Sequence, residues 1–310
     1  MARKRLGAVI TVGNQKGGVG KSTNTVNLAA ALGLRGYRSL IIDLDPHAGS
    51  TINLGVPVKS YAGTLELLTS DETPQSLAIR SKLPRGVHLV PSRAQLAELD
   101  NLLSKYADKT RILERPIAQA RADYDFIWLD TPPHAAALTT VAAYSTAEWF
   151  LISAFPHPLS MHGINEALKE IADVRRFRNP HIEILGVLLT CVDTRTKLAT
   201  DIEQLIQEQL PGRGFLTQTT QANVVNRASE KGKTLFQIPA YVKHKVALAY
   251  RNLAIEIEHR VTHRDEFLNG TLPPPALLAE APEHELLGED EDGGGEPLLL
   301  DEELPLAAND

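Results

Sequence analysis

The sequence predicts an α/β fold built on a doubly wound, mostly parallel sheet, and three observations carry that prediction. Short apolar runs of strand character alternate along the chain with stretches of helical character. The first run, Ala8 to Val12, leads into a glycine-rich loop, Gly13 to Thr23, with an alanine- and leucine-rich, proline-free stretch behind it from Asn24 to Leu34. Two further runs, Ser39 to Asp45 and Tyr124 to Asp130, close in carboxylates, and the C-terminal ends of parallel strands are where such sheets bind ligands.

Taken in order, the loop reads Gly-Asn-Gln-Lys-Gly-Gly-Val-Gly-Lys-Ser-Thr and sits between a strand and a helix. In that setting the residues Gly17, Gly18, Val19, Gly20, Lys21, Ser22 and Thr23 are predicted to cradle phosphates. Glycines let backbone N–H groups converge on phosphate oxygens, the helix start adds partial positive charge, and Lys21 adds a full one. Ser22 is then placed to ligate Mg²⁺. The usual pattern of glycine, four residues, Gly-Lys-[Ser/Thr] is not quite met, because Gln15 stands where its first glycine belongs, and an extra lysine, Lys16, precedes Gly17. Gly36 marks the end of the first helix, and Ser39 to Asp45 reads as a buried strand ending in Asp43 and Asp45, which either serve a site or cap a turn.

The stretch 62–122 reads as mostly helical around a strand at Val87 to Val90, with Leu96, Leu99, Leu102 and Leu103 assigned to the core by their spacing. Tyr124 to Asp130 is a hydrophobic strand, Trp149 to Ala154 another, and Ile182 to Thr190 the last. A helix is expected from about Met161 to Phe177. His157 and His162 lack a Cys or carboxylate at ligand spacing and read as loop residues rather than a metal site. In the last helix Val246, Tyr250, Leu253, Ile257 and Val261 share one stripe and face the core, leaving Lys245 and Arg251 toward solvent or the flank.

The 310 residues are 43% hydrophobic, ample for a core, and no apolar run is long enough to span a bilayer. A single cysteine, Cys191, cannot form an internal disulfide, which fits a reducing cytoplasm. The net charge of −6 conceals an asymmetry: residues 269–310 hold 12 acids and no Lys or Arg, which leaves 26 acids against all 32 bases before them. With its proline and glycine runs, that acidic segment is expected to be a disordered tail following a folded domain of residues 1–268. Its Leu298 to Leu300 cluster is either a docking point or part of a merely solubilising tail. Arg227, Lys231, Lys233, Lys243, Lys245 and Arg251 face a single acid, Glu230, in their stretch, and suit contact with a phosphate backbone or a solvated face.

The loop's Lys-Gly-Gly-x-Gly-Lys-[Ser/Thr] form resembles the deviant Walker A motif of the ParA/MinD ATPases, a P-loop NTPase family. Asp45-Pro46-His47-Ala48-Gly49-Ser50-Thr51 is similar to the family's Asp-Pro-Gln-Gly-Asn-Ala-Thr switch region, departing at His47, Ala48 and Gly49. The strand that ends in Asp130-Thr131-Pro132-Pro133 resembles its Walker B segment. The resemblance covers about residues 6–262 and implies ATP and Mg²⁺ as ligands. In it Lys16 reaches across a homodimer to the partner's phosphates, Asp45 orients the attacking water, Asp43 lies near the metal shell, and Asp130 holds Mg²⁺ through a coordinated water. Gly186 to Thr196 looks like the segment that leads toward the base pocket of chromosomal ParA proteins.

The expectation is therefore a cytoplasmic, nucleoid-associated ATPase of the short ParA type. It would dimerise on ATP, bind DNA without sequence preference and move DNA with a ParB-like partner. With the loop's strand at the start of the sequence, no N-terminal helix-turn-helix is expected. Two rivals share the same motifs. A MinD-like membrane ATPase would need a basic amphipathic C-terminal helix where this sequence has an acidic tail. The other is a ParA-like positioner of a protein cargo.

Overall fold

The computed structural model describes residues 5–156, 160–193 and 196–279, with the side chains of 160–162 also outside the description. Six strands are present among the described residues: β1 (Ala8–Gly13), β2 (Ser39–Asp43), β3 (Val87–Val90), β4 (Phe126–Asp130), β5 (Trp149–Ala154) and β6 (Glu183–Leu189). They form one sheet in the order β3-β2-β4-β1-β5-β6, and every pairing in it is parallel. The chain runs from β1 to β2 on one side and from β5 to β6 on the other, so a crevice opens at the C-terminal end of β1.

Parallel strands are buried on both faces, and each side-chain set here packs into its own core. Val9, Leu40, Ile42, Ile127, Leu129 and Phe150 face one helical layer, while Ile10, Val12, Ile41, Trp128 and Leu151 face the other. The second layer holds α1 (Lys21–Leu34) and the final long helix, Lys245–Thr262. The helix α1 ends as expected, with Gly36 at φ +87° and Tyr37 N–H donating to the Leu32 carbonyl at 3.1 Å.

Three expectations change. The stretch 62–122 breaks into short helical pieces such as Thr64–Thr69 and Glu114–Ala120, and Leu102 is 54% exposed although Leu96, Leu99 and Leu103 are buried. The helix there is a single turn, Leu99–Leu102, too short to keep four leucines on one face. In the final helix Val246, Tyr250, Leu253 and Ile257 are buried as their stripe requires, but Arg251 is only half-exposed and lies over the Phe236 ring, 5.8 Å from its centre.

Third, the ordered chain runs past the boundary expected at 268. Asn252 donates to the Leu278 carbonyl at 3.1 Å and accepts from its N–H at 2.9 Å, and Pro273 meets His259 at 2.9 Å. One carboxamide satisfies both backbone groups of Leu278, which anchors a segment that composition alone marks as unable to fold. The compact unit ends at Ala279, and 280–310, with Leu298 to Leu300, lies outside the described residues. The helix Ser160–Phe177 contains His162, whose side chain, like all of His157, is outside the description. No helix among the described residues is long and apolar enough to cross a membrane.

Candidate functional site

The loop between β1 and α1 is built on glycine conformations. Gly20, at the start of α1, has φ +80° and offers no side-chain cap, so the first N–H groups of the helix are left to an anion. Gly18 is also left-handed, at φ +76°, and no atom stands within 4 Å of where a Cβ on Gly17 or Gly18 would lie. Asn14, which the sequence reading passed over, organises the loop's entrance. Its side-chain oxygen accepts the Lys16 N–H at 2.9 Å, its amide donates to the Ser153 carbonyl at 2.8 Å, and its carbonyl accepts Lys21 Nζ at 3.2 Å. Lys16 itself is exposed.

Parallel pairing brings the carboxylates to this loop. Asp130 is the register partner of Val12 on one side and of Asp43 on the other, so all three motifs meet at one edge of the sheet. Asp130 is fully buried. Ser50 Oγ donates to its Oδ2 at 2.7 Å, while Oδ1 has no hydrogen-bond partner among the described residues. Burial raises its pKa, and Ser22, Ser50 and the Lys21 charge hold it partly down. Burial pulls the Lys21 ammonium down from its ordinary value, with Asp130 and then Asp45 opposing. A lysine, a hydroxyl and a half-satisfied carboxylate thus converge where phosphate and a divalent cation would both find partners.

Asp43 is bonded to the switch segment. Its Oδ2 accepts the Thr51 N–H at 2.9 Å and the Thr51 hydroxyl at 2.7 Å, and its Oδ1 accepts the Asp45 N–H at 3.2 Å. It clasps the switch segment to β2, and burial, then the Asp130 charge beside it, raises its pKa. Asp45 is largely buried, with Oδ1 accepting the His47 N–H and meeting the exposed His47 ring at Nδ1, both at 2.9 Å.

The departures at Ala48 and Gly49 have a packing reason. A Cβ on Gly49 would stand 2.4 Å from Ser22 Oγ and 3.0 Å from its Cβ, so with Ser22 in this position glycine lets the start of α2 (Gly49–Asn53) approach the loop. Ala48 carries the left-handed turn instead, at φ +57°, at a cost of about 1 kcal/mol.

Thr23 lies half-buried in the first turn of α1, and Val19 is buried with its carbonyl accepting from Ser153 Oγ at 2.6 Å. Ser50, Asn14, Asn24 and Ser153 were all missed. The signal for the last two was a polar residue inside an otherwise apolar strand or helix, buried in the structure. Beyond β6, Val192, Asp193, Thr220, Asn223 and Lys245 line a cavity of about 410 Å³. Lys245 therefore borders a pocket as well as solvent.

The basic segment is not drawn into this site as a group. Arg227, Lys231, Lys233, Lys243 and Lys245 are exposed, and Arg251 is packed. Of the other arginines the chain offers, Arg175 is tied to Glu183 and donates to the Ile182 carbonyl at 2.7 Å.

The fold and the loop define a nucleotide-binding P-loop protein of the doubly wound class. The family model described as AAA domain matches residues 7–184. The chain is 32% identical over 252 residues to the chromosome-partitioning ATPase Soj of Thermus thermophilus, covering 81% of this chain and 96% of that one. It is 29% identical over 259 residues to the chromosome partitioning protein ParA of Caulobacter vibrioides, covering 83% and 96%. Among solved structures, cobyrinic acid a,c-diamide synthase from Mycobacterium smegmatis with bound ADP and magnesium superposes with a TM-score of 0.70 at 27% identity, over 83% of this chain and 96% of that one. The cell division ATPase MinD of Pyrococcus furiosus shares the fold, with a TM-score of 0.65 at 23% identity over 81% and 98%. This chain belongs to the ParA/MinD family of P-loop ATPases.

Proposed function

We propose that the protein is an Mg²⁺-dependent ATPase that dimerises on ATP, binds DNA without sequence preference on the nucleoid in the cytoplasm, and drives DNA segregation with a ParB-like partner. The observation that carries the nucleotide part is the unpartnered, buried Asp130 oxygen beside Ser22 and Lys21 at the mouth of the glycine loop. The likeness to Soj and ParA supports the segregation part.

In this reading the N–H groups of Gly17 to Ser22 bind the phosphates and Lys21 neutralises them. Ser22 and Asp130 hold the cation, Asp130 through water, while Asp43 keeps the switch segment in place. Mg²⁺, when bound, would neutralise charge on the phosphates. Asp45, at the start of that segment, orients the water. Lys16, exposed at the rim of the loop, is free to reach a second subunit.

The test is light scattering with ATP on the wild type and Lys16→Ala, alongside a nucleotide titration. The variant is expected to bind ATP as a monomer and to stay monomeric. A variant that dimerises as fully as the wild type would refute the cross-subunit role, and wild type that binds liposomes but no duplex in any nucleotide state would favour a membrane positioner.

A further inference from the structure

The loop is tied to the final long helix by a line of buried hydrogen bonds that phosphate binding itself does not call for. The Val19 carbonyl accepts from Ser153 Oγ at 2.6 Å and from Thr190 Oγ1 at 3.3 Å. Ser153, having donated its one proton, accepts from Asn24 Nδ2 at 2.9 Å. Asn24 Oδ1 in turn accepts from the Tyr250 hydroxyl at 2.8 Å. Val19, Ser153, Asn24 and Tyr250 are each no more than 2% exposed.

The line has one polarity. Ser153 gives its proton to a carbonyl, which has none to return, so the Asn24 end that faces Ser153 must be the amide. Its oxygen is then left for Tyr250, whose phenol burial keeps protonated and donating. Only the Val19 carbonyl has a second donor, Thr190; moving Asn24 or Tyr250 strands a polar group away from water, so the line has little slack toward the final helix. Asn24 also sits in the first turn of α1, its N–H donating to the Gly20 carbonyl at 2.8 Å. Loop, helix start and final helix therefore share the same side chain.

We propose that the Tyr250 hydroxyl is a positioning group which, through Asn24 and Ser153, couples the state of the phosphate loop to the final helix, where Lys245 and Arg251 reside. The inference rests on the nucleotide reading of the loop and, for its DNA arm, on the basic segment as the DNA surface. Anion binding draws in the N–H groups on either side of Val19 and so biases the peptide whose carbonyl Ser153 holds. The final helix answers through Tyr250, and by linkage whatever holds that helix must bias the loop equally.

The test uses Tyr250→Phe, which removes only the hydroxyl, with Tyr37→Phe as control. Tyr37 also bonds the final helix, its hydroxyl lying 2.5 Å from Glu258 Oε1, but is not part of this line to the loop. Hydrogen exchange of residues 245–262 is followed with and without ATP and Mg²⁺, together with ATP affinity and duplex DNA affinity. In the wild type and Tyr37→Phe, ATP is expected to slow exchange around residue 250 at least threefold. In Tyr250→Phe that response is lost, and the gain in DNA affinity on ATP binding falls at least threefold.

Ser153→Ala cuts the line at its other end and should show the same loss, with the double variant no worse than either alone. It also keeps the test decisive if Tyr250→Phe does not fold. Wild type that binds ATP while its final helix stays unresponsive overturns the relay alone, as does a Tyr250→Phe or Ser153→Ala protein whose helix responds in full. Wild type that binds no ATP overturns the relay and the nucleotide reading together, whereas a normal exchange response without DNA binding upholds the relay and removes only the DNA surface.

Discussion

The C-terminal edge of the sheet and the basic segment 227–251 both concentrate charge, and they hold it in opposite ways. At the sheet edge Lys21, Asp43 and Asp130 are buried, and their neighbours are set by strand register. In the basic segment five of six cations stand in solvent, and the sixth, Arg251, rests on an aromatic ring. Buried charge is costly unless its partners are fixed, so each residue there is constrained one by one. Exposed charge acts as a sum, screened by salt and indifferent to which lysine supplies it. The difference teaches that the two regions should fail differently when altered.

The sharpest break is expected at Lys21. Lys21→Ala removes the loop's full positive charge, so a nucleotide titration should show affinity reduced at least about a hundredfold. Near-normal affinity would sink the phosphate assignment. Asp45→Ala tests whether the switch segment separates binding from chemistry. Single-turnover hydrolysis should fall about 10²–10³-fold while ATP affinity stays within about threefold, and normal turnover would refute the role given to Asp45.

On the exposed side the effects shrink. Replacing Lys243, Lys245 and Arg251 together with alanine should weaken binding to every duplex about tenfold near 0.1 M salt. The salt slope should flatten by about 2 per protomer rather than 3, because Arg251 is packed against Phe236. An unchanged slope would move the DNA surface elsewhere. A variant that loses one sequence and keeps another would contradict backbone contact.

The smallest effect belongs to a group between the extremes. His88 on β3 is half-buried, meets the Tyr124 hydroxyl at 2.9 Å, and is pushed down to about 4 by burial, then by Arg80 and Arg38. Its folded value lies below its unfolded one, so the stability it contributes is present above pH 6.5 and lost as the pH falls toward 4. Solvent screening at a half-exposed group leaves about 1 kcal/mol of that. Urea midpoints at pH 7.5 and 4.5 should drop further in the wild type than in His88→Gln, and equal drops would remove His88 from the account.

Much of the site was legible because its chemistry is tied to local backbone. A glycine loop after a strand names its own conformation, and a hydrophobic strand that stops at Asp130 names its own edge. What was not legible depends on where packing brings each side chain. The two hydrogen bonds by which Thr51 holds Asp43 were not foreseen. Leu102 looked like Leu99 until its helix proved one turn long. The tail boundary at 268 followed composition, and Asn252 moved it by reaching Leu278.

By itself the sequence determined the strand order in time, the phosphate loop and the family, because strand periodicity and glycine geometry are properties of a few consecutive residues. Only the tertiary structure decided which carboxylate keeps a free oxygen, why glycine sits at 49 rather than 48, and that Tyr250 reaches Asn24 across 226 positions. Those outcomes turn on hydrogen bonds between buried groups brought together by packing, and no local pattern in the chain encodes which partner each buried polar atom will find.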